Sequence, residues 1–301
     1  MYIQKMKRVL ISIFIALSAI YSSTAQQTTT YFPYPTAPEN LTSLTERCNY
    51  LVTHFWDHCN FKSAFSSIPK MNGAVGDFLS FMPYASADTA FMAIDVLIGR
   101  VHKSPKQLLA LAKMARGYLM SDTADYVSEE LYLPFAKAVA STKKIPAADR
   151  EPFASEVKIL SNSMIGARVS DMNLTTASGD NVNLSANTAP MMILFFTGPD
   201  CTDCSMWRIR LSADYALNQM IEQGRLKIIN IYAGQDSEQW AKWASAAPDN
   251  WLTVRSEEAS TLFDLTVIPT ITYLNRKMEV LGKDFTADDI IRSFQNHIMT
   301  H

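Results

Sequence analysis

The 301-residue sequence has almost no excess of either charge and no concentrated block of basic residues. Lys and Arg number 27 against 29 Asp and Glu, which leaves a net charge of −2. Nucleic-acid-binding proteins carry a basic patch or stripe, so this composition argues against nucleic acid as a partner. Proteins and small molecules remain as partners.

Long apolar segments are also missing after the first 20 residues. Those residues have the layout of a secretory signal: positive charges, an apolar run and small residues before a cleavage point (Lys5, Lys7 and Arg8; Val9 to Ile20; Ser23-Thr24-Ala25). The alternative, a transmembrane anchor, needs about 20 apolar residues, and the run has only about a dozen. A lipoprotein would need a cysteine where Gln26 stands. We therefore expect cleavage after Ala25 and an exported, periplasmic protein without a membrane span.

Cysteine is scarce, with four residues in the chain: Cys48, Cys59, Cys201 and Cys204. In an oxidising compartment a Cys-x-x-Cys pair can serve as a working disulfide. A structural zinc site would need a second pair of ligands at similar spacing, and the sequence has none. We expect neither a metal nor another cofactor.

The residues that follow the signal divide into a linker, 26–40, and a helical domain, 41–163. Three consecutive threonines (Thr28-Thr29-Thr30), followed by Pro33, Pro35 and Pro38, indicate an extended linker. In the helical domain, apolar residues recur at steps of three and four, which is typical of amphipathic helices. The predicted helices include one from Leu41 to Trp56, one that starts at Ser104-Pro105, one from Tyr126 to Ala140 with Pro134 as a kink or break, and one from Ala147 to Leu160.

The first predicted helix separates Cys48 from Cys59. Trp56, at the end of that helix, lies about 12 Å beyond Cys48 at 1.5 Å per residue. A disulfide needs Cα atoms within about 7 Å, so the chain would have to double straight back. We expect both cysteines to be unbridged and packed as small hydrophobes.

From about residue 164 the pattern changes to alternating strands and helices, which predicts a second domain, 164–301. It is an α/β domain with a central mixed sheet flanked by helices. Its predicted order is a hairpin (Met172 to Leu184), a buried strand (Met191 to Phe196), a helix (Cys201 to Glu222), a second buried strand (Leu226 to Tyr232), two helices (Ser237 to Ala246 and Ser256 to Asp264), a second hairpin (Thr270 to Leu281) and a closing helix (Asp284 to Ile298).

In this domain a strand is followed by Cys201-Thr202-Asp203-Cys204 at the start of a helix, and Ile268-Pro269 opens a later strand. This order of features resembles the thioredoxin superfamily. The extra first hairpin and an insertion from about 235 to 264 resemble its TlpA and peroxiredoxin-like periplasmic branch. The resemblance covers nearly all of 166–301. It implies a thioredoxin-like fold and a thiol:disulfide oxidoreductase that acts on protein thiols and disulfides, with a periplasmic or membrane-bound redox partner.

The two cysteines of the motif have different expected roles. The N–H groups and the dipole of the helix favour the thiolate of Cys201, which is the reactive form. Cys204, one turn further in, would resolve a mixed disulfide formed at Cys201. In the family the proline aligned with Pro269 is cis, lies against the redox pair and presents backbone to an extended substrate; Ile268 precedes it here.

Three departures from the family pattern leave a second function open. Asp200 and Asp203 should oppose the lowering of the pKa of Cys201. The buried acid of many thioredoxins falls at Phe195, and Asp200 replaces the usual aromatic residue before the first cysteine. The alternative is a redox-inert thioredoxin-fold binding module whose helical domain recognises a partner.

Other candidate sites are weaker. A peroxiredoxin needs a threonine three residues before its cysteine, where Gly198 stands. His54 and His58 have the spacing of a helical metal site, although a helix end with two partly exposed imidazoles is the better interpretation. Three tryptophans (Trp240, Trp243 and Trp251) could mark a groove, but helix packing is the default. The stretch from Glu46 to Asp57 resembles the opening of an uncharacterised helical domain that precedes thioredoxin-like domains in secreted proteins of Gram-negative bacteria.

Overall fold

The computed structural model describes residues 30–121, 123–124 and 126–299. The predicted signal, 1–25, and the first residues of the predicted linker lie outside this part. Within it, no helix combines the length and hydropathy needed to cross a membrane.

The first part of the described chain is all-α, as predicted. Its helices are α1 (Leu44–His54), α2 (Phe61–Ala64), α3 (Ile68–Ser80), α4 (Ala87–Val101), α5 (Pro105–Leu119), α6 (Glu129–Ser141) and α7 (Ala147–Ser163). Helix α1 begins later than predicted because Ser43 and Glu46 form a reciprocal capping box at its start. Of the kink or break expected at Pro134, the break is absent, because helix α6 continues through this residue.

The core of the helical domain is aromatic where the predicted linker meets it. The fully buried Phe55 contacts Phe78, with ring centroids 5.4 Å apart. Phe32 lies 5.5 Å from Trp56, and Tyr34 lies 4.5 Å from Phe55. The segment from residue 30 to 40 contains no helix or strand, as predicted for an extended linker. Its aromatic side chains pack against the core of the helical domain.

The second part of the chain forms a seven-stranded mixed sheet with the order β2-β1-β5-β4-β3-β6-β7. The strands are β1 (Asn173–Thr176), β2 (Asn181–Asn183), β3 (Met191–Thr197), β4 (Leu226–Tyr232), β5 (Leu252–Arg255), β6 (Thr270–Asn275) and β7 (Val280–Lys283). Strand β3 runs parallel to β4 and antiparallel to β6. Alternate residues of β3 enter two different cores, which confirms a central strand covered on both faces.

The helices of this part are α8 (Thr202–Ala213), α9 (Tyr215–Glu222), α10 (Glu238–Ser245), α11 (Ala259–Leu262) and α12 (Ala287–Met299). The single helix predicted from Cys201 to Glu222 is wrong, because Asp214 leaves helical geometry and its side chain caps α9 by accepting the Leu217 N–H at 2.9 Å. Strand β5 was not predicted; it joins β4 to the first hairpin.

A buried amide joins the two parts of the chain. The Asn162 side chain, in the last turn of α7, donates to the Leu262 carbonyl at 3.1 Å and accepts the Ser170 N–H at 2.6 Å. Lys158 donates to Thr261 at 3.0 Å. An ion pair between Glu129 of α6 and Lys283 of β7 makes a second connection. The helical domain therefore holds the segment that leads from α11 to the Ile268-Pro269 bond.

Removal of the Asn162 amide should destabilise this junction. Asn162→Ala leaves the Leu262 carbonyl and the Ser170 N–H without their partner, and we expect a loss of about 2 kcal/mol in the free energy of unfolding. Urea denaturation followed by tryptophan fluorescence measures it. Asn183→Ala, at an exposed position of edge strand β2, is the control and should change stability by less than about 0.5 kcal/mol. Equal effects of the two variants would contradict the assigned role of Asn162.

The two cysteines of the helical domain are unbridged, as predicted. Burial raises the pKa of Cys59 to about 11 and raises the pKa of Cys48. Few thiolates exist at neutral pH, so both should alkylate slowly in the folded protein and rapidly in denaturant. Mass spectrometry of the unreduced, denatured protein should find two alkylated thiols and one Cys201–Cys204 link. A peptide that joins Cys48 to Cys59 would contradict the structure.

Candidate functional site

The redox motif lies where the central strand gives way to a helix. Strand β3 ends at Thr197, and Cys201 is the N-cap residue of α8, with its Sγ accepting the Cys204 N–H at 3.0 Å. Cys201 and Cys204 form a disulfide with a Cα–Cα distance of 5.2 Å. Cys201 is half-exposed, while Cys204 is 1% exposed. This confirms the predicted positions: an accessible sulfur at the helix N-terminus and a shielded one a turn further in.

The Ile268-Pro269 peptide bond is cis, as the resemblance implies, and it faces the redox pair. The Sγ of Cys201 lies 3.8 Å from the carbonyl oxygen of Ile268. In the disulfide this sulfur carries no proton, so the contact is not a hydrogen bond; the reduced thiol could donate one there.

Two local features position the proline loop, residues 263–269, which connects α11 to β6. A Cβ on Gly198 would lie 3.2 Å from the Ile268 side chain, so the absent side chain leaves the space that Ile268 occupies. On the other side of the loop, the Asp264 carboxylate accepts the N–H and the hydroxyl of Thr266, at 3.0 and 2.7 Å. The loop is therefore set by packing on one side and by a local turn on the other.

The position of the missing acid is filled by an aromatic ring. Phe195 is fully buried; its ring is parallel to that of Trp207, with centroids 6.5 Å apart, and meets Trp251 edge-on at 6.1 Å. On the neighbouring strand Asn230 pairs with Phe195, and its amide oxygen accepts the Thr197 hydroxyl at 2.8 Å. The side chain at position 195 cannot accept the proton of Cys204.

The two acidic residues of the motif are exposed. Asp200 precedes the half-exposed Cys201, and Asp203 lies in the first turn of α8. A carboxylate in the first turn is itself stabilised by the helix dipole. Because water screens both carboxylates, we expect their effect on the Cys201 thiolate to be small.

A cavity of about 360 Å³ opens beside the proline. Its lining includes Trp207 of α8, Pro269, and Thr272 of β6. Glu129 and Lys283, whose side chains are 22% and 18% exposed, also line it. Sequence reasoning missed these last two residues, since they lie in different parts of the chain and nothing in the local pattern signals that they meet.

The structure also places the weaker candidates, the three tryptophans and the histidine pair. Trp240, Trp243 and Trp251 are all buried, which confirms helix and sheet packing as their role. His54 contacts Asp57 at 2.8 Å at the end of α1. Across the described ranges, no three His, Cys, Asp or Glu side chains are grouped as metal ligands.

Comparison with known proteins gives matches to parts of the chain and a match that spans most of it. Residues 18–163 match the family model of DUF5106, a domain of unknown function. A crystal structure of a thioredoxin-like protein from Bacteroides caccae is 25% identical, covers 90% of this chain and 100% of its own, and has a TM-score of 0.68. It therefore spans both domains. No curated protein matches the sequence.

Two further solved structures align with a smaller share of the chain. A conserved protein of unknown function from Bacteroides fragilis is 29% identical over 44% of this chain and 98% of its own, with a TM-score of 0.41. The thioredoxin domain of a thiol-disulfide oxidoreductase from Bacteroides vulgatus is 16% identical over 44% and 97%, with a TM-score of 0.39.

The described geometry and the match that spans both domains lead to the same classification. The chain joins a helical domain that matches DUF5106 to a C-terminal domain with a thioredoxin-like fold.

Proposed function

We propose that this protein is an exported, periplasmic thiol:disulfide oxidoreductase that acts on protein disulfides. The observation that supports the proposal best is the placement of Cys201. Cys201 is partly exposed at a helix N-terminus. Its sulfur lies 3.8 Å from the Ile268 carbonyl that precedes the cis proline and is bonded to a shielded second cysteine. Export is supported by the N-terminal sequence, 1–25.

In the reducing direction, the Cys201 thiolate attacks one sulfur of a substrate disulfide. A bond forms between Cys201 and that sulfur, and the other substrate cysteine leaves as a thiolate. The thiolate of Cys204 then attacks the Sγ of Cys201 and releases the second substrate thiolate. Two electrons pass to the substrate, and the protein is left as the disulfide seen in the structure. A dithiol redox partner would have to reduce it again, and the reverse sequence oxidises a substrate.

The residues of the site have different roles in this exchange. The N–H of Cys204 stabilises negative charge on Cys201, and the backbone before Pro269 lies where a bound polypeptide would run. Phe195 leaves Cys204 without an internal base at the usual position, so its proton passes to solvent or to the departing thiolate. We therefore expect resolution to be slower than it would be with a buried acid at position 195.

The second candidate function is a redox-inert binding module. The specific observation in its favour is the apolar packing of Phe195 against Trp207 and Trp251, which excludes the family's buried acid. On this alternative the disulfide is structural. The two functions differ in whether Cys201 exchanges with a substrate.

Trapping separates them. A Cys204→Ser variant cannot resolve a mixed disulfide, so we expect Cys201 to accumulate in disulfide-linked complexes with exported proteins, visible on non-reducing gels and absent in Cys201→Ser. N-terminal sequencing of this protein, recovered from the trapped complexes, should give Gln26 as its first residue if the signal is cleaved after Ala25. Redox titration of the purified mature protein, followed by tryptophan fluorescence, should show one reversible two-electron transition. If neither the disulfide-linked complexes nor the reversible transition is observed, the binding module is favoured.

The charge of Asp203 provides a second test. Asp203→His removes a carboxylate near Cys201, and we expect alkylation of the reduced Cys201 near pH 7 to become about twofold to threefold faster, because the thiolate is the reacting form. The rate is followed across a pH series by mass spectrometry. Asp203→Asn, which removes charge without adding an imidazole, should show a smaller change in the same direction. Identical rate-against-pH curves in all three proteins would show that solvent screens the carboxylate fully.

A further inference from the structure

The cavity beside Pro269 is built by both domains. Glu129 and the buried Ser163 come from the helical domain, whereas Val267 and Pro269 come from the proline loop and Lys283 from the last strand. The connection is fixed by the Glu129–Lys283 ion pair and by the Asn162 amide. The helical domain thus forms one wall of a space that opens next to the cis peptide bond.

The charge of this lining is negative. It includes the carboxylates of Glu129, Asp264 and Asp284 and the ammonium group of Lys283. Lys283 is already paired with Glu129, so the two exposed aspartates remain uncompensated within the lining. Asp200 and Asp203 are also exposed beside the redox pair. Positive groups are therefore attracted to this side of Cys201, and negative groups are repelled.

A substrate that lies along the proline loop when it reacts with Cys201 comes close to this cavity. The sulfur lies 3.8 Å from the Ile268 carbonyl, and the residues on both sides of Ile268 line the cavity. A chain that extends along this loop places successive side chains on opposite sides, at about 3.3 Å per residue. Side chains next to the reacting cysteine are thus within reach of the cavity. Val267, which is 75% exposed, contributes apolar surface at its rim.

We infer that the helical domain contributes a wall of the substrate site, and that this site selects extended segments with Lys or Arg next to the reacting cysteine. The inference rests on the proposed function, since it names the class of protein disulfide that Cys201 attacks. A long basic side chain would place its methylene stem against Val267 and Trp207 and its charge near Asp264 and Asp284.

Peptide disulfides that differ only in the residues beside the cysteine test the selection. The reduced full-length mature protein is mixed with Lys, Gln or Glu peptides, and the reaction is quenched with acid and resolved by chromatography. We expect the Lys peptide to be reduced at least about threefold faster than the Glu peptide, and the difference to shrink at high salt. Equal rates for the Lys and Glu peptides would overturn the inference. Failure with all three peptides, the neutral one included, would instead contradict the proposed function.

Isosteric variants locate the selecting charges. Asp264→Asn keeps the oxygen that accepts from Thr266, and Asp284→Asn suits the positive φ of 58° at that position. Each should lower the ratio of Lys to Glu rates by about twofold. Asp180→Asn makes the same charge change in the β1–β2 turn, at the opposite edge of the sheet. The inference fails if this control alters the ratio as much as the other two.

The wall formed by the helical domain has its own test. Glu129→Gln frees the charge of Lys283 beside the cavity, and we expect the preference for the Lys peptide to fall by about twofold to threefold. The double variant Glu129→Gln, Lys283→Gln is neutral again and should restore the native preference. An unchanged preference in Glu129→Gln, or no restoration in the double variant, would show that the helical domain does not face the substrate.

Discussion

The site depends on the antiparallel pairing of β3 with β6. Because the two strands run in opposite directions, the end of β3 and the beginning of β6 meet at one edge of the sheet, with Phe196 opposite Thr270. Cys201 follows the first strand, and Pro269 precedes the second. A change of register by one residue would turn the side chains of β6 to the other face and move the proline away from the sulfur. The geometry of the candidate site thus depends on the register between these two strands.

Much of this arrangement could be predicted from local patterns. The continuous apolar run of β3 indicates a strand buried on both faces, and Cys201 follows it at the start of a helix, so both the exposed and the shielded cysteine were placed correctly. The cis bond at Pro269 came from resemblance to a family. The break at Asp214 was missed because a helix cap and a residue within a helix look alike in an amphipathic pattern. Strand β5 is short and only partly buried, so its periodicity is weak.

The cavity and the domain junction could not be predicted for a different reason. Glu129 and Lys283 are 154 positions apart, and Asn162 and Leu262 are 100 apart. Each residue has an ordinary local setting: a helix start, a strand end, the last turn of a helix. Their contacts exist only after two separately predictable units have packed together, and periodicity carries no information about that step. Phe195 is the opposite case, since alignment alone marks it as the site of the missing acid.

A phenylalanine at position 195 has a different energetic requirement from a buried acid at the same position. A buried carboxyl group would need hydrogen-bond partners in the apolar layer under α8, whereas the ring packs against Trp207 and Trp251 with none. The site therefore lacks an internal group at this position that could take up a proton from Cys204, and its interior is apolar.

The two hydrogen bonds of the Asn162 side chain limit which domains can be exchanged during evolution. One amide serves both the loop that enters the sheet and the helix that precedes the proline loop. A recombination event that replaced the helical domain would also remove the partner of two backbone groups in its neighbour. Because both partners are backbone groups, the neighbouring domain presents them whatever its side chains are, and the constraint on sequence falls on Asn162 alone.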